Sequence, residues 1–163
     1  MNWSIRYAVE DKGYRWNPAP SIEQSVPLSS YDRLSDHIDY ALSQLDREEK
    51  TRSLYNDMTN MFGRTLHKDV VRSGLERLRT LSSNPDSKIE IYRAVPTHIS
   101  DINSGDWITT MKEYAERHSS MEDENYHILS RIVPIKNVRI RKPDPRYPTL
   151  FKPQDLAALS YHE

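Results

Sequence analysis

The run SSNPDS at residues 82–87 divides the chain by a change of hydrophobic period, and that change decides what the chain can fold into. Before it, apolar residues recur at spacings of three and four, the mark of one face of an α-helix. Leu34, Ile38, Ala41, Leu42 and Leu45 predict a helix over residues 32–46. Leu54, Met58 and Met61 continue the stripe in a second helix that starts at Asp46 or Glu48, and Gly63 supplies its stop. Val70, Val71, Gly74, Leu75, Leu78 and Leu81 predict a third helix over 67–81. After the loop the period falls to about two. KIEIYRAV at 88–95 reads as a strand ended by Pro96. Gly105 and Asp106 make a turn, Trp107 and Ile108 begin a short strand, and Thr110–His118 suits a helix. Tyr126–Val133 and Asn137–Arg141 read as further strands joined at Pro134.

Helices followed by strands give an α+β fold class. The length, 163 residues, suits a single domain over 1–163, with 1–87 the mainly helical half and 88–163 the mainly stranded half. The two ends are less regular. Pro18, Pro20 and Pro27 interrupt residues 1–30, where a short strand is expected only at Trp3–Val9. Four prolines from Pro143 onward leave only Gln154–Leu159 for a last helical turn.

Composition removes several classes of chemistry. There is no cysteine, so thiolate catalysis, disulfides and Cys-based zinc sites are excluded. Lys plus Arg is 23 and Asp plus Glu is 24, so the overall charge gives no reason to expect nucleic acid. The six histidines show no His-x-x-x-His spacing, and no metal site is expected. His127 falls at an alternate strand position that predicts exposure. The first residues carry charges throughout and lack the apolar stretch of a secretory signal, and no stretch is apolar enough to span a membrane. The expected location is the cytoplasm.

Chemistry concentrates in IYRAVP, 91–96, and GDWITTMKEYAERH, 105–118. Arg93 stands within a strand, where its planar fork needs an anion. Thr109 and Thr110 bring hydroxyls to a helix N-terminus, whose free amides also favour an anion. Together they describe a site for a phosphorylated ligand. Each feature has a structural alternative. Arg93 can pair internally with Glu90 or Glu113, and Thr109 or Thr110 can be an N-cap, with Glu113 completing a capping box from Thr110. Arg139, Arg141, Lys142 and Arg146 form a basic cluster that suits phosphate or guards a strand edge.

These segments, with YHILSRIVPIKNVRI at 126–140, resemble an ADP-ribosyltransferase-like domain, most closely the version in phage and prophage proteins. The resemblance covers residues 88–140, about a third of the chain. It implies a small split β-sheet that binds NAD, and transfer of ADP-ribose to an acceptor protein. It implies that Arg93 contacts the NAD phosphates or ribose, that Thr109 and Thr110 support the site, and that Tyr114 stands near the nicotinamide. Tyr92 and Trp107 complete the implied NAD-binding set. Met111 stands where the family often has a small hydroxyl residue. The family's catalytic glutamate, often in an E-x-E, usually begins a later strand. Here RKPDPRYPTLFKPQD, 141–155, contains no glutamate, only Asp144 and Asp155. The one E-x-E is Glu122-Asp123-Glu124, placed before the strand at 126, so Glu122 and Glu124 are the candidate catalytic carboxylates. Two functions follow from the resemblance. One is a mono-ADP-ribosyltransferase that modifies a host or defence protein in the host cytoplasm. The other is an inactive relative that binds a partner or inhibits a host system.

Overall fold

A computed structural model describes residues 18–46, 68–120, 125–147 and 150–163. Among them the order of elements is β1 (Ser25–Pro27), α1 (Leu34–Asp46), α2 (Lys68–Ser82), β2 (Lys88–Pro96), β3 (Trp107–Ile108), α3 (Lys112–Ser120), β4 (Tyr126–Pro134), β5 (Val138–Arg141) and β6 (Leu159–Tyr161). Short 3-10 turns cover Leu28–Ser30, Ile135–Asn137 and Pro153–Leu156. The fold is α+β, as the change of period predicts. The strand expected at Trp3–Val9 and the helix expected around Leu54–Met61 lie outside the described residues. No helix among the described residues is long and apolar enough to cross a membrane.

The helices form where the periodicity places them. Leu34, Ile38, Ala41 and Leu45 bury one face of α1, and Val71, Leu75 and Leu78 bury one face of α2. Asp69 in the first turn of α2 and Arg79 in its last suit the helix dipole. Arg79 also reaches Asp39 of α1 at 2.8 Å. Gly74 of α2 marks a close approach, since a Cβ there would lie 3.2 Å from Cγ of Met111. Met111 is itself 2% exposed and fills core space over this glycine.

The strands make two antiparallel sheets. One has the order β1-β5-β6-β3 and the other is the pair β2-β4. A single bridge between Tyr92 and Thr109 joins them, with Tyr92 N donating to Thr109 O at 2.8 Å and Thr109 N to Tyr92 O at 3.0 Å. β2 and β4 pair along their whole length, from Lys88 opposite Pro134 to Pro96 opposite Tyr126. Ile89, Ile91, Val133, Val138, Ile140, Leu159 and Tyr161 join the two helix faces in one core. A second, small cluster holds Ala94, Trp107 and Ala158.

Two end segments depart from expectation. Residues 25–27 form β1, an edge strand short enough to end at Pro27 and pinned to β5 by Arg139, whose guanidinium donates to the Ser25 hydroxyl and carbonyl. The expected turn at Gln154–Leu159 ends earlier, at Leu156, and residues 159–161 form β6 between β5 and β3. Three residues are too short a run for period-two patterning to show.

The two faces of the β2-β4 pair respond differently to truncation. Ile91 is fully buried and Ile132 is 67% exposed. Ile91→Ala should cost about 2–5 kcal/mol in urea denaturation, and Ile132→Ala less than about 0.5 kcal/mol. Equal losses would contradict this assignment of faces.

Candidate functional site

Alternation along β2 puts Ile89, Ile91, Arg93 and Val95 on its buried face, and Glu90 and Tyr92 on the other. Arg93 is therefore carried inward, and it is 2% exposed. Its partner comes from the turn before β3. Gly105 takes a φ of 97°, a conformation open to glycine and strained for other residues. That turn brings Asp106 back, so that its carboxylate accepts the Asn103 amide at 2.7 Å and meets Nη1 of Arg93 at 3.2 Å. The same Nη1 donates to the Trp107 carbonyl at 2.9 Å. Nε of Arg93 has no hydrogen-bond partner.

Burial acts against both charges. It pushes the Arg93 guanidinium down to about 10, against the opposing pull of Asp106. It raises the Asp106 carboxyl in spite of Arg93 and the Asn103 amide. Arg93 nevertheless stays charged at neutral pH, and its desolvation is a standing cost that Asp106 offsets. The internal partner of Arg93 is thus Asp106, in place of Glu90 or Glu113. Glu90 points to the opposite face of β2, where it accepts the Tyr92 phenol at 3.0 Å. Glu113 is exposed on α3.

The other expected site residues divide between core and surface. Trp107 is 3% exposed in the small cluster, and the Arg141 guanidinium lies over its ring at 6.0 Å. Thr109 is fully buried, and its hydroxyl accepts the Met111 amide at 3.2 Å. The capping box from Thr110 does not form, and the Thr110 hydroxyl has no partner. The Thr110 carbonyl instead accepts from Arg77 of α2 at 2.9 Å. Tyr114 is buried in the main core, which raises its phenol well above the ordinary value. Tyr92 and Thr110 share a hollow of about 400 Å³ beside β2, with Arg77, Lys88, Lys112 and Glu113 around it. Arg93, Trp107, Thr109 and Tyr114 do not line it. Glu122 and Glu124 lie outside the described residues.

No protein-family model, no curated protein and no solved structure matches the chain.

A second hollow, of about 440 Å³, opens where the chain leaves β5. Arg141, Lys142 and Asp144 meet Lys152 and Asp155 there. Of the basic cluster, Arg139 is spent on β1, and Arg146 grips Asp144 through Nη2 at 2.9 Å and Nε at 3.2 Å. Asp155 is half-buried, and burial pushes its carboxyl up to about 6, against the attraction of Arg141 and Lys152. Behind the hollow, His37 ties α1 to the 151–152 segment. Its Nε2 faces the Lys152 carbonyl at 2.9 Å and is therefore the protonated nitrogen, which leaves Nδ1 to accept the Tyr31 hydroxyl at 3.1 Å. Its ring stacks on Phe151 at 4.9 Å, and burial lowers its pKa. His127, expected to be exposed, is half-buried and bonds the Ile99 carbonyl at 2.9 Å. Sequence reasoning named Arg141, Lys142 and Asp155 separately. It missed Lys152 and read Asp106 only as a turn residue, since their partners are distant in the chain or on a neighbouring strand.

Asp106→Asn strands Arg93 in the core and should cost about 3–5 kcal/mol. Arg93→Met should cost less, because the Asp106 left behind can take a proton. A raised carboxyl favours the folded state below its unfolded pKa and loses that advantage as pH rises. The Arg93→Met loss should therefore be smaller at pH 4.5 than at pH 7.5 in urea denaturation. A loss that grows toward acid would contradict the pairing.

The same sign governs Asp155. Its folded pKa is raised, so its contribution is fully present below about pH 4 and is lost as pH rises through about 6. Asp155→Asn should raise stability at pH 7.5 by up to about 3 kcal/mol and leave it nearly unchanged at pH 4. His37, with its lowered pKa, acts oppositely and loses stability as pH falls below the ordinary histidine value. Thermal melts from pH 4 to 8 on Asp155→Asn, alone and with His37→Gln, separate the two.

Proposed function

We propose that this chain is a catalytically inactive relative of the ADP-ribosyltransferase-like proteins, phage-encoded, and that it works in the host cytoplasm by binding a protein of the host system it inhibits. One observation carries the reading. The arginine that the resemblance assigns to the NAD phosphates is 2% exposed and committed to Asp106 and the Trp107 carbonyl. Both contacts fall on Nη1 and Nε has no partner, but at 2% exposure and outside the hollow beside Tyr92 the guanidinium is closed to a ligand. The late strand is consistent with this. β6 runs Leu159-Ser160-Tyr161 after Ala157 and Ala158, with no carboxylate where the family's glutamate usually begins a strand. Without that charge nothing stabilises the positive centre that forms as nicotinamide leaves.

The hollow beside Tyr92 and Thr110 supports a second reading, an active mono-ADP-ribosyltransferase that uses NAD to modify a host or defence protein. It holds the amide end of α3 and three cations, Arg77, Lys88 and Lys112, all suited to phosphate. In that case Glu122 or Glu124 supplies the carboxylate.

Calorimetric titration with NAD separates the readings. We expect no binding heat for the wild-type protein, no label passed from NAD to a host lysate, and a lowered melting temperature for Arg93→Ala. NAD binding by the wild-type protein that weakens in a folded Lys88→Gln or Lys112→Gln variant would sink the binding-protein reading. Glu122→Gln or Glu124→Gln should then lower transfer by about 10²–10³-fold with little change in NAD affinity.

A further inference from the structure

The hollow at the exit of β5 concentrates more positive than negative charge, although Arg141 also lies over the Trp107 ring. Asp144 is already matched by Arg146, so three cations, Arg141, Lys142 and Lys152, face one carboxylate, Asp155. All three cations are exposed, and none makes an ion pair within hydrogen-bond distance among the described residues. Pro143, Pro145 and Leu150 line the same hollow, and Leu150 is 59% exposed. At about 440 Å³ the space exceeds what a bare oxyanion fills and falls within the range of small-ligand sites.

We propose that this hollow binds a small phosphomonoester, with Arg141, Lys142 and Lys152 on the phosphate, the proline and leucine rim on the organic part, and Asp155 as a proton-dependent gate. As a carboxylate, Asp155 repels the phosphate. Once protonated it loses the charge and gains an O–H that can donate to a phosphate oxygen. Its raised carboxyl puts that change near pH 6. Binding therefore strengthens as pH falls through this range, and by linkage a bound anion favours protonation of Asp155. The groups facing Asp155 from neighbouring elements are Arg141 on β5, Lys152 on its own segment, Tyr31 before α1 and Tyr114 on α3. Both phenols stay neutral in this range, since each is raised above its ordinary value. His37 backs the Lys152 carbonyl, and burial lowers its pKa from the ordinary histidine value, so it is controlled separately.

The test uses sulfate, which does not titrate between pH 5 and 8, and phenyl phosphate, both on the full chain at constant ionic strength. Sulfate should bind roughly tenfold or more tightly at pH 5 than at pH 8, in keeping with one proton taken up on Asp155 as pH falls from 8 through about 6. Asp155→Asn should bind it equally at both, and His37→Gln should keep the difference. Arg141→Gln and Lys152→Gln, both at exposed positions, should weaken it about tenfold each without loss of fold. Phenyl phosphate should bind more tightly than sulfate, and Leu150→Ser should remove that advantage. Sulfate affinity unchanged in Arg141→Gln and Lys152→Gln would overturn the site. A pH dependence that survives in Asp155→Asn would overturn the gate. An ester that binds no better than sulfate would overturn the organic half of the assignment. None of these readings depends on NAD binding.

Discussion

A guanidinium held in a place where water cannot reach it organises the centre of this fold. Arg93 rises from β2, and Asp106 and the Trp107 carbonyl meet it from the entrance to β3. Next to Arg93, and two residues after Trp107, Tyr92 and Thr109 make the bridge that links the two sheets. The join between the sheets thus includes one two-residue bridge and one buried ion pair, with Arg131 of β4 over the Tyr161 ring of β6 as a further tie. A charge at 2% exposure is costly unless paired, so the pair fixes where β3 starts relative to β2. The tie extends further. Tyr161 N donates to the Asp106 carbonyl, and Gly105 N donates to that of Tyr161, so the turn that presents Asp106 also locks β6.

What the sequence discloses follows from the range of the interactions. α1 and α2 are legible because Leu34, Ile38, Ala41, Leu45, Val71, Leu75 and Leu78 each repeat a local period. β2 is legible because its first residues alternate between buried and exposed. β4 shows no such alternation and is legible as a run of nine rich in apolar and β-branched residues ended by Pro134. β1 and β6 are not, since three residues have too little pattern and owe their strand state to pairing with β5. The inward direction of Arg93 is implicit in the alternation of Ile89 and Ile91. Its partner is not, because Asp106 reaches it through a turn whose geometry depends on Gly105 and on the distant Tyr161 carbonyl.

The threonine pair shows how one dipeptide divides its work. The Thr109 hydroxyl takes the Met111 amide, a local bond of the kind that starts helices. Thr110 offers its carbonyl to Arg77 and so fastens α2 to the strand end. A signature that suggests a ligand site is thereby largely consumed by the join between helix and strand. The side chains left outward, Tyr92 and the cations around it, face the other side of β2.

The same division runs along β5 and decides where the protein can meet an anion. Val138 and Ile140 point into the core, so Arg139 and Arg141 point away from it. Arg139 folds back over β1, where its Nε and Nη2 donate to Ser25 and the Ile22 carbonyl. Arg141 pairs with Ser25 at the start of β1, but its side chain turns toward Trp107 and Asp155. Two arginines two residues apart therefore serve opposite ends. One closes a sheet edge, and the other leaves its charge beside a carboxyl that burial has made reluctant to ionise. Arg93 supplies cohesion where a strand arginine suggests recognition, and the capacity for recognition moves outward to Arg141, Lys142 and Lys152, where water and ligand can both reach.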